Sequence, residues 1–135
     1  MKRFSFKAGV LSLALLAAPA AWAQDRLPPV WEANIAGQLE ESLSSKSPGI
    51  RAAAMQLIVE LDRHRPDLDL SATVDPLLKI YGRDQDPSYR LMALSALHAL
   101  DNEYGTQRLA ELVRKERSPV VRRATLLALA DLERR

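Results

Sequence analysis

The sequence contains no cysteine. That excludes disulfides, a thiol nucleophile, a lipid anchor on cysteine and a chromophore attached through cysteine, and it leaves packing as the source of stability. Glycine is sparse, five residues in 135, and no cluster of it could cradle a phosphate. Past residue 23 there is no apolar run of 18 residues, so no later segment reads as a membrane span. No stretch alternates apolar and polar side chains with period two over the length of a strand, so no sheet is expected. Ser, His and Asp occur, but without the nucleophile-elbow pattern of a hydrolase.

The first 23 residues stand apart. Lys2, Arg3 and Lys7 precede the apolar stretch from Ala8 to Ala18, and Pro19 leads to Ala21-Trp22-Ala23. This basic, apolar, small-x-small order is that of a cleaved secretory signal peptide, with Gln24 the first mature residue and 24–28 a short extension. A periplasmic or secreted location is expected. The whole chain has 19 basic and 17 acidic residues. Three of the basic ones lie in the leader, which leaves 16 against 17 and a net charge of −1. The basic isoelectric point of the precursor therefore does not indicate nucleic-acid binding.

What the chain does have is a repeat. Ser47-Pro48-Gly49-Ile50-Arg51 recurs as Asp86-Pro87-Ser88-Tyr89-Arg90 and as Ser118-Pro119-Val120-Val121-Arg122, with the prolines 39 and 32 residues apart. Units repeated at such a period are the mark of a solenoid, in which each unit packs on its neighbours. Ser47, Asp86 and Ser118 are suited to cap a helix through a side-chain oxygen. The proline after each takes the first helical position, where its missing N–H costs nothing.

Counting from each proline, position two is Ile50, Tyr89 or Val121; six is Ala54, Ala93 or Thr125; nine is Leu57, Ala96 or Ala128. Position ten is Ile58, Leu97 or Leu129, and thirteen is Leu61, Leu100 or Leu132. These steps keep one stripe of a 3.6-residue helix facing a core, with small residues at six and nine admitting a close neighbour. Each such helix needs a partner before it. Trp31, Ile35, Leu39 and Leu43 step by four in the first. Asp75-Pro76 opens or kinks a second, carrying Val74, Leu77, Leu78 and Tyr81, that Gly82 closes, and Thr106 is the expected cap of a third. The expected fold is all-α, a short right-handed α-solenoid of about three helical hairpins (29–62, 72–100 and 105–134) within a single domain, 29–135.

The string Pro-x-(Val/Ile/Tyr)-Arg-x-x-Ala-x-x-Ala-Leu-x-x-Leu resembles the HEAT-like repeats of bacterial proteins, a group often named after phycobilisome lyase subunits. Residues 86–100, with Ala93, Ala96, Leu97 and Leu100, match it best; the first copy departs from it with Leu57. The resemblance implies an α-solenoid that serves as a scaffold, adaptor, inhibitor or occasional enzyme subunit, and does not choose among them.

Arg51, Arg90 and Arg122 share one position, and with Pro48, Pro87 and Pro119 they read as structural residues of the repeat, each guanidinium bonding carbonyls or a carboxylate of an adjacent hairpin. His64 and His98 have no second histidine at metal-ligand spacing, and the His-Glu pairs of metal-binding relatives are missing. Asp67, Asp69, Ser71 and Asp75 have partial calcium-loop spacing but lack its glycine and its final glutamate. No catalytic residue, metal or cofactor is called for.

Charge is uneven. Residues 60–86 balance to −3 and residues 104–135 to +4, with Arg114, Lys115, Arg117, Arg122 and Arg123 around one inter-helix turn. That turn is either a solvated helix end or a contact for an acidic partner or anionic head groups. The last helix breaks the pattern of the others. At positions one and eight it has Val120 and Leu127 where the earlier copies have Gly49 and Gln56 or Ser88 and Ser95. With Arg123, Leu126 and Ala130, flanked by Arg134, these form a candidate interaction patch, since an uncapped solenoid end normally needs cover. The expected role is a non-catalytic protein–protein interaction scaffold or adaptor of the cell envelope, meeting an unidentified protein or a second copy. The alternatives are an accessory subunit or enzyme with a ligand in the concave groove, and peripheral membrane binding through 114–123.

Overall fold

Proline at the first position of a helix and a short oxygen-bearing side chain before it set three of the chain's helix starts. The computed structural model describes residues 29–135; the leader 1–23 and the extension 24–28 lie outside the described residues. Six α-helices follow one another, α1 (Val30–Leu43), α2 (Pro48–His64), α3 (Val74–Arg83), α4 (Pro87–Leu100), α5 (Glu103–Leu112) and α6 (Pro119–Leu132), with no strand among the described residues. Ser47, Asp86 and Ser118 accept from the N–H groups of Ile50, Ser88 and Val121 at 3.5, 2.8 and 3.3 Å. The helices pair as α1–α2, α3–α4 and α5–α6. Across the pairs, α1, α3 and α5 make one layer and α2, α4 and α6 the other, with the core between. This is a short all-α solenoid.

Three local expectations need correcting. The cap of α5 is Asn102, whose Oδ1 accepts from Gly105 N–H at 2.9 Å, so the third hairpin begins at Glu103 and Thr106 lies inside the helix. Asp101, in the left-handed region at φ 45°, breaks α4 one residue earlier and leaves Asn102 placed to cap. Gly82 does not close α3, which runs to Arg83. A Cβ on Gly82 would stand 3.6 Å from the Leu112 side chain, so the glycine faces the last residue of α5. Finally, α3 opens at Val74 after a 3-10 turn over Ser71–Thr73, and Asp75-Pro76 falls within its first turn, where proline is tolerated.

The core follows the repeat stripe in all three hairpins, with Ala54 and Ile58 buried in the first. Ala93, Ala96 and Leu97 are buried in the second, as are Val121 and Thr125 in the third. The first hairpin departs at two positions: Ile50 and Leu57 stand 49% and 43% exposed, because positions two and nine face the preceding repeat and none packs there among the described residues. Thr125 takes the place of the repeat's alanine. Its hydroxyl donates to the Val121 carbonyl at 2.8 Å and meets the Tyr81 hydroxyl at 2.7 Å, joining α3 to α6 across the layers. The connection after α2 is held by Arg65, which grips Asp67 through two nitrogens, reaches Glu32 at 2.7 Å and lies over the Trp31 ring. Leu70, further along the same connection, is buried in the core.

Candidate functional site: the repeat junctions and the last helix

The three repeat arginines show what is scaffold and what is surface. Each extends from the third position of its helix back to the turn that precedes it. Arg51 donates to the carbonyls of Ser45 and Lys46 at 2.9 and 3.3 Å, and Arg90 to those of Asp84 and Gln85 at 2.9 and 3.2 Å. Arg122 donates to the Glu116 carbonyl through Nε at 3.1 Å and through a second nitrogen. Each guanidinium thus ties down free carbonyls of its own hairpin's turn, using a planar fork that lysine lacks.

The first two arginines also reach forward. Arg90 is almost fully buried and holds the Glu116 carboxylate with two nitrogens, at 3.1 and 2.8 Å. Arg51 stands 3.6 Å from the Asp84 carboxylate and over the Tyr89 ring. Asp84 and Glu116 occupy the same place, three residues before the proline of the next repeat. The arginine of one repeat therefore pairs with the acid of the following one, as a ladder along the solenoid. Burial pushes the Glu116 carboxyl up, but the hydrogen bonds from Arg90 and the Ser118 N–H outweigh it, and the group sits below the usual glutamate range. A buried charge pair is tolerable because every remaining donor and acceptor is engaged. No buried polar side-chain atom is left without a partner among the described residues.

Arg122 has no such rung. Among the described residues it makes no salt bridge, and neither do Arg114, Lys115, Arg117 and Arg123. Arg114 and Lys115 lie in a 3-10 turn that ends α5, and both are exposed along with Arg117. Glu116, the acid among them, is turned inward to Arg90. The turn consequently presents cations alone.

The candidate patch on α6 divides in two. Val120 and Leu127 are 67% and 63% exposed on the outer side of the α2–α4–α6 layer, where the other repeats have small or polar residues. Leu127 borders a groove of about 570 Å³ between α4 and α6, lined also by Leu91, Leu94, Ser95, Ala124 and Ala128. A groove of about 480 Å³ runs between α2 and α4 on the same side, and Ser95 lines both. At the far end of the α4–α6 groove His98 Nε2 meets the Asp131 carboxylate at 2.8 Å, and Arg135 bonds the same oxygen at 3.0 Å. The His98 bond and then Arg135 lower the Asp131 carboxyl. Leu126 belongs elsewhere. It follows Leu127 round the helix onto the end of the solenoid, with Arg123 and Ala130, at the position that is buried as Met55 and Leu94 in the earlier repeats.

Two other sequence features have ordinary duties here. Asp67 is taken by Arg65, and Asp69 Oδ1 accepts from Ser71 N–H at 2.9 Å in a local turn. Among the described residues no three His, Asp or Glu side chains converge to hold a metal. No helix among them is long and apolar enough to cross a membrane.

A family model described as HEAT repeats matches residues 36–130, and the chain belongs to that family. No curated protein and no solved structure matches it. Sequence reading missed Glu116 and Asp84 as the forward partners of the repeat arginines, although their shared position was visible. It also missed the α4–α6 groove, which depends on how far apart two helices lie and has no signature in either one.

Proposed function

We propose that this protein is a non-catalytic interaction scaffold of the cell envelope, exported by its leader, that docks a protein partner on the outer side of α6. The observation that carries the reading is the exposure of Val120 and Leu127 at positions where the other repeats are small or polar, beside an apolar groove. Two large aliphatic side chains at about 1.5–3 kcal/mol each supply roughly 3–6 kcal/mol on burial. That sustains a weak contact, which the neighbouring unpaired cations of the 114–123 turn would strengthen toward an acidic partner. HEAT repeats commonly present such surfaces to other proteins, which supports the reading. The phycobilisome-lyase-like form of the repeat and a periplasmic or secreted location are part of the same proposal.

Val120→Ser with Leu127→Gln restores the character of the inner repeats without touching the core. Affinity capture from the native envelope fraction should lose a partner with this variant that the unchanged protein retains, with far-UV circular dichroism unaltered. Retention of the same partners by both would end the proposal. Intact mass of the exported protein should begin at Gln24; a species that keeps Met1 would overturn the export reading.

A further inference from the structure

We infer that copies of this chain stack head to tail, the end of the solenoid at α6 of one copy against the α1–α2 end of the next, in the register of its own internal junctions. This contact uses other residues than the outer side of α6 and does not rest on it.

The internal junctions define the register. The residue seven after the proline is buried in both inner repeats, Met55 at 1% and Leu94 at 5% exposure. The following helix meets it with positions five and nine: Met92 borders the same groove as Met55, and Ala124 and Ala128 the same groove as Leu94. In the other layer, Leu112, seven before its proline, lies over Gly82, five before its own.

At the two ends of the described structure the same positions are uncovered. Leu126, the seventh-position residue of the last repeat, is 53% exposed. Ala53 and Leu57, the receiving positions of the first, are exposed as well, and so is Ile50 beside them. The two ends are the two halves of one repeat junction. Carrying the Leu112–Gly82 register between copies sets Glu41 opposite Arg114, an acid against a base. Both are exposed, and neither is in a salt bridge among the described residues. The small side chains Ala33 and Gly37 on α1 leave room for a close approach. One rung is weaker than inside the chain: the register puts Ser45, not an acid, opposite Arg122. A contact between different surfaces of identical copies is heterologous, so it continues into a ring or an open filament and does not stop at a dimer.

Sedimentation velocity of the exported protein over a concentration series tests this. The unchanged protein should form species that grow past a dimer. Leu126→Glu and Leu57→Glu each spoil one end, so each alone should remain monomeric with helix content intact. Mixed in equal amounts they should give dimers and nothing larger, because each retains one complete half of the junction. Arg114→Glu should weaken association about tenfold through like-charge contact with Glu41, and adding Glu41→Arg should recover it. A protein that is monomeric up to its solubility limit, or a mixture of the two end variants that does not associate, would overturn the inference. So would association that survives either end variant alone.

Discussion

The second and third repeats carry the same repeat pattern and make different use of it. Arg90 and Arg122 share a position, yet the first holds a buried carboxylate and the second only a backbone carbonyl. Leu94 and Leu126 share another, and one is in the core while the other is at the surface. At positions one and eight the second repeat has Ser88 and Ser95 and the third has Val120 and Leu127. The contrast separates two kinds of information. A repeat's internal pattern fixes its own helix, but what each side chain is worth depends on whether another repeat lies beyond it. Solenoid stability, as a sum of unit and neighbour terms, follows the same logic.

The largest expected effect is at the arginines. Arg90→Ala strands the Glu116 carboxylate in the core and should cost about 3–5 kcal/mol. Arg122→Ala, at an exposed guanidinium without a carboxylate, should cost no more than about 1 kcal/mol. Urea denaturation of the two variants measures the gap; equal losses would mean that the forward pair adds nothing to the ladder.

A smaller gap is expected at the leucines. Leu94→Ala opens a cavity between α4 and α6 and should cost about 2–5 kcal/mol. Leu126→Ala, at a half-exposed site, should fall within about 0.5 kcal/mol of the unchanged protein when measured well below the concentrations at which copies associate. A large loss at Leu126 in the monomer would show that it packs within its own chain.

The finest test is acid titration. The Glu116 carboxyl is lower in the folded chain than in the unfolded one, so folding favours its ionised form. Its contribution is complete above the unfolded value and disappears as pH falls through the lower, folded one. The stability difference between the unchanged protein and Glu116→Gln should be constant above about pH 5 and narrow steadily below about pH 4. A difference independent of pH throughout would mean that Arg90 does not depend on the charge of its partner.

Much of this was legible in the chain. Ser-Pro and Asp-Pro pairs gave three helix starts because capping is local chemistry between residues three apart at most. The spacing of Ala54, Ala93 and Thr125 and of Ile58, Leu97 and Leu129 gave the buried stripe, because helical periodicity needs no partner to be read. The start of α5 at Asn102 was harder, since Thr106 offers the same kind of oxygen and the left-handed residue at Asp101 decides between them. The patch on α6 was recognised as a group of residues but not as two surfaces, since neighbours in sequence such as Leu126 and Leu127 part only when a helix is set against others.

By itself the sequence determined the helices, the three starts set by a proline and its cap, their period and their membership of one repeat family, because propensity, capping and amphipathic spacing all act within a few residues. Only the tertiary structure decided which of the equivalent side chains are buried, which arginine meets which acid, and which end residues face solvent. Those outcomes depend on the neighbouring hairpin, tens of residues away along the chain, and burial and ion pairing are properties of that contact.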